Sequence, residues 1–269
     1  MEQIYENTYA IREVGCAGEV NMYLVVGKKR AALIDCGYGG IDLPAMIRTV
    51  TKLPVTVICT HGHIDHAFGS WMFEDVYLHP LDMEVYKEHG NRQMQENSWA
   101  RTDMRMLKFY KLSKEEFAAQ RERALSHEPG AVKALEDGQC FDLGGRTLRV
   151  VHMPGHTAGS VLVEDVEHKV LFSGDDLNGQ VWMCLKESVP LAEYKKQLLR
   201  IRQFAENEGV EIHYPGHGRK ADDCVKRIDK LVKCTDKAMA RKNHGKMADR
   251  GFTKGYVARC GFTSILYKI

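Results

Sequence analysis

His61, His63, Asp65 and His66 fall within six positions, in the run THGHIDH, straight after the apolar, β-prone stretch Val55 to Cys59. Imidazole nitrogen and carboxylate oxygen are ligand types that a zinc ion accepts. Alternate side chains of an extended chain share a side, so His61 and His63 would face one point. If the loop then curls, Asp65 and His66 can face a second point, and the run could hold one ion fully or two in part. Further candidates stand beside glycine after other β-prone runs: His156 in MPGHTAGS, Asp175 in LFSGDDL and His217 in YPGHG. Strand-end loops converging on one edge of a layered fold would bring them together. Twelve histidines in the chain leave isolated ones with little weight. His79, His89, His127, His152, His168, His213 and His244 therefore read as structural or surface residues, and Cys59 as a buried strand residue.

The elements that must position these groups alternate in type. Strands are expected at Val20 to Val26, Ala31 to Asp35, Val55 to Cys59 and Val76 to Leu78, with a helix at 41 to 51. From 82 to 128 the β-signals fade into a Met-, Leu-, Lys-, Glu- and Arg-rich stretch that reads as a helical insertion. Ser113 with Glu116 forms a capping box there. Strand signals return at Phe141 to Val151, with Gly144-Gly145 as a hairpin turn, then at Val161 to Val163 and Val170 to Phe172. Leu191, Tyr194, Leu198 and Ile201 give a helix over 191 to 206 one apolar face. Val210 to His217 repeats the strand–glycine–histidine order. A helix at 221 to 240 and a strand at Ser264 to Tyr267 close the chain. Two halves, each with strands followed by helices, imply a layered α/β sandwich formed by one domain over 1–269.

A formal charge of +2, from 38 basic and 36 acidic residues, gives no general attraction to nucleic acid or membranes. Neither a signal peptide nor an unbroken apolar run of roughly 18 residues is visible. Eight scattered cysteines without a C-x-x-C pair suggest free thiols in a reducing compartment, so a cytoplasmic protein is expected.

Taken together, H-x-H-x-D-H, G-H-T-x-G-S, S-G-D and P-G-H-G resemble the metallo-β-lactamase-fold metallo-hydrolase superfamily, in particular its glyoxalase II and lactonase-like members. The resemblance runs from YLVVGKKRAALIDCG through His217, interrupted by the insertion. It implies an αββα sandwich of two mixed sheets flanked by helices, with a dinuclear metal centre at one edge. By the same resemblance His61, His63 and His156 match the ligands of a first metal, and Asp65, His66 and His217 those of a second. Asp175 matches the bridging carboxylate, Asp35 a residue that supports the histidine loop, and Asp176 a neighbour of the bridge. The implied cofactor is two divalent ions, zinc first, with iron or manganese as alternatives. The implied reaction is attack of a metal-bridging hydroxide, oriented by Asp65, on the ester, thioester or lactone of a small molecule. A mononuclear-iron persulfide dioxygenase is the alternative enzyme, and a non-catalytic metal-binding module a third reading.

The 90-position interval from His66 to His156 is longer than compact thioester hydrolases or lactonases of the superfamily lead one to expect. Met83, Met94, Trp99, Met104, Met106, Phe109 and Tyr110 within it could form a lid over an apolar pocket. Packing onto the sandwich, or a homodimer face, would use the same residues. Tyr38 and Tyr194 are candidates to donate a hydrogen bond to substrate.

Overall fold

Buried β-branched and aliphatic runs pair into three sheets in the computed structural model, which describes the chain except for 101–103, 219–220, 245, 251–252 and 269. The side chains of 104–106 also lie outside the described residues, so the expectations for Met104 and Met106 are not addressed. The first sheet has seven strands in chain order, from Glu2–Tyr5 through Thr8–Gly15, Gly18–Val26, Ala31–Ile34, Val55–Ile58 and Val76–Leu78 to Lys133–Ala134. It is antiparallel up to Ala31–Ile34 and parallel beyond, hence mixed. Its strands Gly18–Val26 and Ala31–Ile34 are buried along nearly their whole length, as expected when both faces are covered.

The second sheet has six strands, running from Asp222–Asp223 through Ile212–Tyr214, Val170–Phe172, Val161–Asp165 and Thr147–His152 to Cys140–Asp142. Apolar side chains from both sheets meet in one core, where Tyr23, Val25, Ile34 and Ile58 lie against Val150, Val161 and Phe172. The helices Leu191–Glu208 and Cys224–Met239 cover the outer face of the second sheet through Leu198, Ile201, Ile228 and Leu231. Gly209 ends the first of these helices in the left-handed conformation (φ 73°), as its position after the apolar pattern predicts.

The structure adds a four-stranded sheet to the two expected, in the order Gln180–Met183, Thr263–Tyr267, Lys254–Cys260, Ala248–Asp249. Only Thr263–Tyr267 has a counterpart in the sequence reading. Between the parallel strands Val76–Leu78 and Lys133–Ala134 stand the helices Met83–Gly90, Arg92–Ala100, Met104–Tyr110 and Lys114–Leu125. Tyr86, Trp99, Phe117 and Leu125 of these helices are buried in the core beneath the first sheet, and Met83 packs at its margin. Trp99 sits edge-on to Tyr38 at 5.6 Å. The Ser113–Glu116 capping box is formed in both directions. Phe109, by contrast, is 76% exposed.

Arg146 joins the two large sheets. Its Nε donates to Asp165 at 2.9 Å, and its Nη1 and Nη2 reach the carbonyl of Glu6 at 3.1 Å and the hydroxyl of Thr8 at 2.5 Å. Both side chains of the Arg146–Asp165 pair are at most 5% exposed. Removing one partner leaves a buried charge uncompensated. Arg146→Ala is therefore expected to cost about 3–5 kcal/mol in a urea titration; an unchanged midpoint would show that the pair does not tie the sheets together.

Candidate metal centre

The strand Val55–Ile58 delivers residues 59–66 to one edge of the sandwich, where a short helix, Ile64–Ala67, turns the chain back. Asp35, at the end of the neighbouring parallel strand, takes the left-handed conformation (φ 59°). There its carboxylate accepts from Thr60 N at 2.7 Å, Thr60 Oγ1 at 2.9 Å and His66 Nδ1 at 2.7 Å. One carboxylate thus fixes both ends of the histidine run, in the supporting position the sequence resemblance assigns to it.

Three further strand ends arrive at the same edge. His156 follows Thr147–His152, Asp175 follows Val170–Phe172, and His217 follows Ile212–Tyr214. Close approach explains two of the glycines. A Cβ on Gly155 would lie 2.0 Å from Asp176 Oδ1, and one on Gly216 would lie 2.6 Å from Asp175 Oδ1 and 2.8 Å from His66 Cε1. The first sheet clamps the last loop through Asn21 N to Gly216 O at 2.8 Å and Tyr23 OH to Pro215 O at 2.7 Å.

Each of the five imidazoles has one nitrogen engaged on its outer side. His61 Nδ1 meets Thr60 Oγ1 at 3.1 Å, His63 Nε2 meets Glu187 Oε1 at 2.7 Å, and His156 Nδ1 meets Trp182 O at 2.7 Å. His66 Nδ1 is held by Asp35, and His217 Nδ1 by Glu19 O at 2.6 Å. A carbonyl or carboxylate accepts only from N–H, so it fixes which nitrogen carries the outer proton and leaves the other nitrogen facing inward. Those inner atoms crowd together. His61 Nε2 and His156 Nε2 each lie 3.0 Å from His63 Nδ1. His217 Nε2 lies 3.2 Å from Asp65 Oδ2. Asp175 stands between the two groups, 3.5 Å from His156 Nε2, 3.4 Å from His66 Nε2 and 3.5 Å from His217 Nε2. All seven side chains expected from the sequence to converge do so.

The electrostatics divide the site. Burial, then the neighbouring imidazoles, push His61 well below the usual histidine range. Burial also opposes charge on His66, but Asp65, Asp35 and Asp175 raise it to about 10. Against the same effect of burial, Asp175 raises His217 well above the ordinary value. Asp65 and Asp175 are held low by His66 and His217, although burial works against them. The carboxylate-bearing half thus attracts positive charge, while His61 and His156, both lowered first of all by burial, offer neutral nitrogen donors. His66 Nε2 is buried with no hydrogen-bond partner, which would be costly unless a ligand satisfied it. This donor set fits two divalent cations, one at His61, His63 and His156, the other at Asp65, His66 and His217.

Three residues at the site escaped sequence reasoning. Asp82, fully buried, accepts from Gly62 N at 2.7 Å, Thr157 Oγ1 at 2.8 Å and Gly159 N at 2.8 Å, joining both histidine loops to the start of the helical segment. Glu187 is ionised: burial opposes this, but the His63 hydrogen bond brings it down to about 2. His89, expected to be structural or at the surface, stacks on His63 with ring centroids 4.7 Å apart and lines the cavity. Burial, then His63, lower it to about 3. Asp176, the expected neighbour of the bridge, accepts from His156 N at 2.7 Å, and burial raises it to about 8.

Tyr38 and Tyr194 are corrections. Tyr38 is 2% exposed and donates to Gly18 O at 3.1 Å; Tyr194 is fully buried and donates to Asp176 O at 2.5 Å. Neither lines the cavity, because each ring fills a core and its hydroxyl is spent on backbone. The cavity itself measures about 1410 Å³, with His63, Asp65 and His217 at its floor and Met94 and Tyr110 in its wall.

The sequence profile of the metallo-beta-lactamase superfamily matches residues 17–237. Acyl-coenzyme A thioesterase MBLAC2 of Gallus gallus is 30% identical over 208 residues, 73% of this chain and 72% of the relative. Atrochrysone carboxyl ACP thioesterase of Aspergillus fumigatus is 29% identical over 216 residues, 79% of this chain and 55% of its own length. A crystal structure of TTHA1623 in a di-iron-bound form superposes with a TM-score of 0.54 at 26% identity, over 80% of this chain and 94% of that one.

Carboxylates behind metal-binding imidazoles commonly contribute 10- to 100-fold in metal affinity. Glu187→Ala is expected to weaken divalent-metal binding by about that factor in a chelator competition, and Glu187→Gln, which keeps an acceptor, by less. Unaltered affinity in the alanine variant would remove Glu187 from the site's support.

Proposed function

Because the chain belongs to the metallo-β-lactamase superfamily, we propose that it is a metal-dependent thioesterase acting on an acyl group carried by a large thiol. One observation carries this reading: five imidazoles and two carboxylates bring their inner atoms together at the floor of a wide cavity, with His66 Nε2 buried and unpartnered among them. At about 1410 Å³ that cavity exceeds the range of roughly 300–1,000 Å³ that suits drug-sized ligands. An acyl chain together with a cofactor-sized thiol would make use of such a space. The relatives named as thioesterases supply the bond type.

Zinc is the proposed metal at both positions, and Asp175, which lies within 3.5 Å of a nitrogen from each donor group, would help to hold it; the di-iron-bound neighbour keeps iron as the alternative. Two bound divalent cations supply a water of near-neutral pKa and polarise an acyl oxygen. The chain's own groups do the rest. Glu187, Asp35 and the carbonyls of Trp182 and Glu19 hold four rings in their productive tautomers. Asp65, kept ionised by His66 and His217, would orient the attacking water as well as bind. A cytoplasmic setting and a small-molecule substrate complete the proposal. The eight free cysteines suit a reducing compartment.

The test is thiol release from a panel of short- and long-chain acyl-coenzyme A thioesters, compared with matched oxygen esters and lactones. Metal-loaded protein is expected to favour thioesters and to stop when a chelator is added. No thiol release from any thioester would contradict the proposal.

A further inference from the structure

His89 closes the last turn of the helix Met83–Gly90 and is anchored on three sides. Its ring lies nearly parallel to that of His63, at 23° and 4.7 Å. Its Nδ1 accepts from the backbone N–H of Ile64 at 3.3 Å. The adjacent Glu88 is paired with Lys186, which ties the end of the helix to the loop that carries Glu187. An Nδ1 that accepts a hydrogen bond has no proton, so the proton of the neutral ring is on Nε2. That N–H belongs to a ring lining the cavity, against one of the three imidazoles of the first donor group.

Two other polar side chains that line the cavity close to these ligands are already committed. Asn178 donates to Asp175 at 2.8 Å and accepts from His217 N at 3.1 Å, and Glu187 accepts from His63. An uncharged donor held rigidly beside the reacting centre serves best where negative charge develops during acyl transfer, because it need not reorganise. We propose that His89, held as the Nε2–H tautomer by Ile64, donates a hydrogen bond to the acyl oxygen of the bound thioester. This assignment rests on the thioesterase reading and adds to it a substrate-contacting residue supplied by the helical segment. No proton is transferred: the N–H bond stays intact, and the hydrogen bond strengthens as the acyl carbon becomes tetrahedral.

The alternative is that His89 only packs against His63 and holds it in place. Two variants separate these roles. His89→Phe keeps a flat ring against His63 and removes the donor, whereas His89→Gln keeps an N–H near the position of Nε2. Metal content, kcat and KM are measured for both, using the best acyl-coenzyme A substrate of the wild type. The expected result for His89→Phe is kcat lower by about 100-fold, of the order seen when one oxyanion donor is lost. KM and metal content should change little, and His89→Gln should recover much of the rate. Wild-type kcat in His89→Phe overturns the assignment. So does an equal loss in both variants, or a loss of metal that parallels the loss of rate. A wild-type protein inert toward every thioester would instead sink the proposed function, and this assignment with it.

Discussion

Inner nitrogens that face one another at 3.0 Å, each lacking a proton to share, set the terms for the rest of this molecule. Lone pairs that close repel, and the arrangement persists only because every imidazole is gripped from behind. Asp35, Glu187, Thr60 and the carbonyls of Trp182 and Glu19 provide that grip. A divalent cation turns the conflict into a set of favourable bonds. The carboxylate-rich half expresses the same demand in another form, since His66 is raised to about 10 only because three carboxylates surround it. Positive charge is needed at both places.

Much of the fold can be understood as the means of holding those grips still. The donors come from the ends of four strands in two sheets, and contacts between the sheets fix their relative positions. Tyr23 and Asn21 of the first sheet bind the loop that carries His217, while Val161 N donates to Thr60 O at 2.8 Å across the sandwich. Asp82 extends this to the helices that follow, bonding both histidine loops at once. Through these bonds the helical segment is anchored at its start, while its later helices wall the cavity. Site geometry and helix packing therefore share one set of buried polar contacts, and a change in either is felt by the other.

What the sequence revealed follows from how local each signal is. His61, His63, Asp65 and His66 lie in one heptapeptide, and His156, Asp175 and His217 each follow a β-prone run beside glycine, so pattern alone groups them. Asp35 was legible through the superfamily resemblance, which places a supporting residue at the end of that strand. Glu187 reaches His63 across 124 positions of chain, and Asp82 reaches Thr157 across 75, without any local motif that links them. His89 looked like any histidine on a helix; only the fold lays it against His63. Tyr38 and Tyr194 failed as substrate contacts for the converse reason. A tyrosine's residue type gives no sign of whether its hydroxyl will face a cavity or a backbone carbonyl. The third sheet was largely missed because the short strand Gln180–Met183 pairs with Thr263–Tyr267, far along the chain, while Lys254–Cys260, although it forms a hairpin with Thr263–Tyr267, carries a weak alternation.

The central claim is that this donor set is a two-cation centre. Metal content per chain, measured by plasma mass spectrometry on protein purified without added metal, tests it most directly. The account predicts about two divalent equivalents, mainly zinc, as a shared-carboxylate site requires. About one equivalent or none, persisting after incubation with excess zinc and removal of the unbound ion, would contradict it.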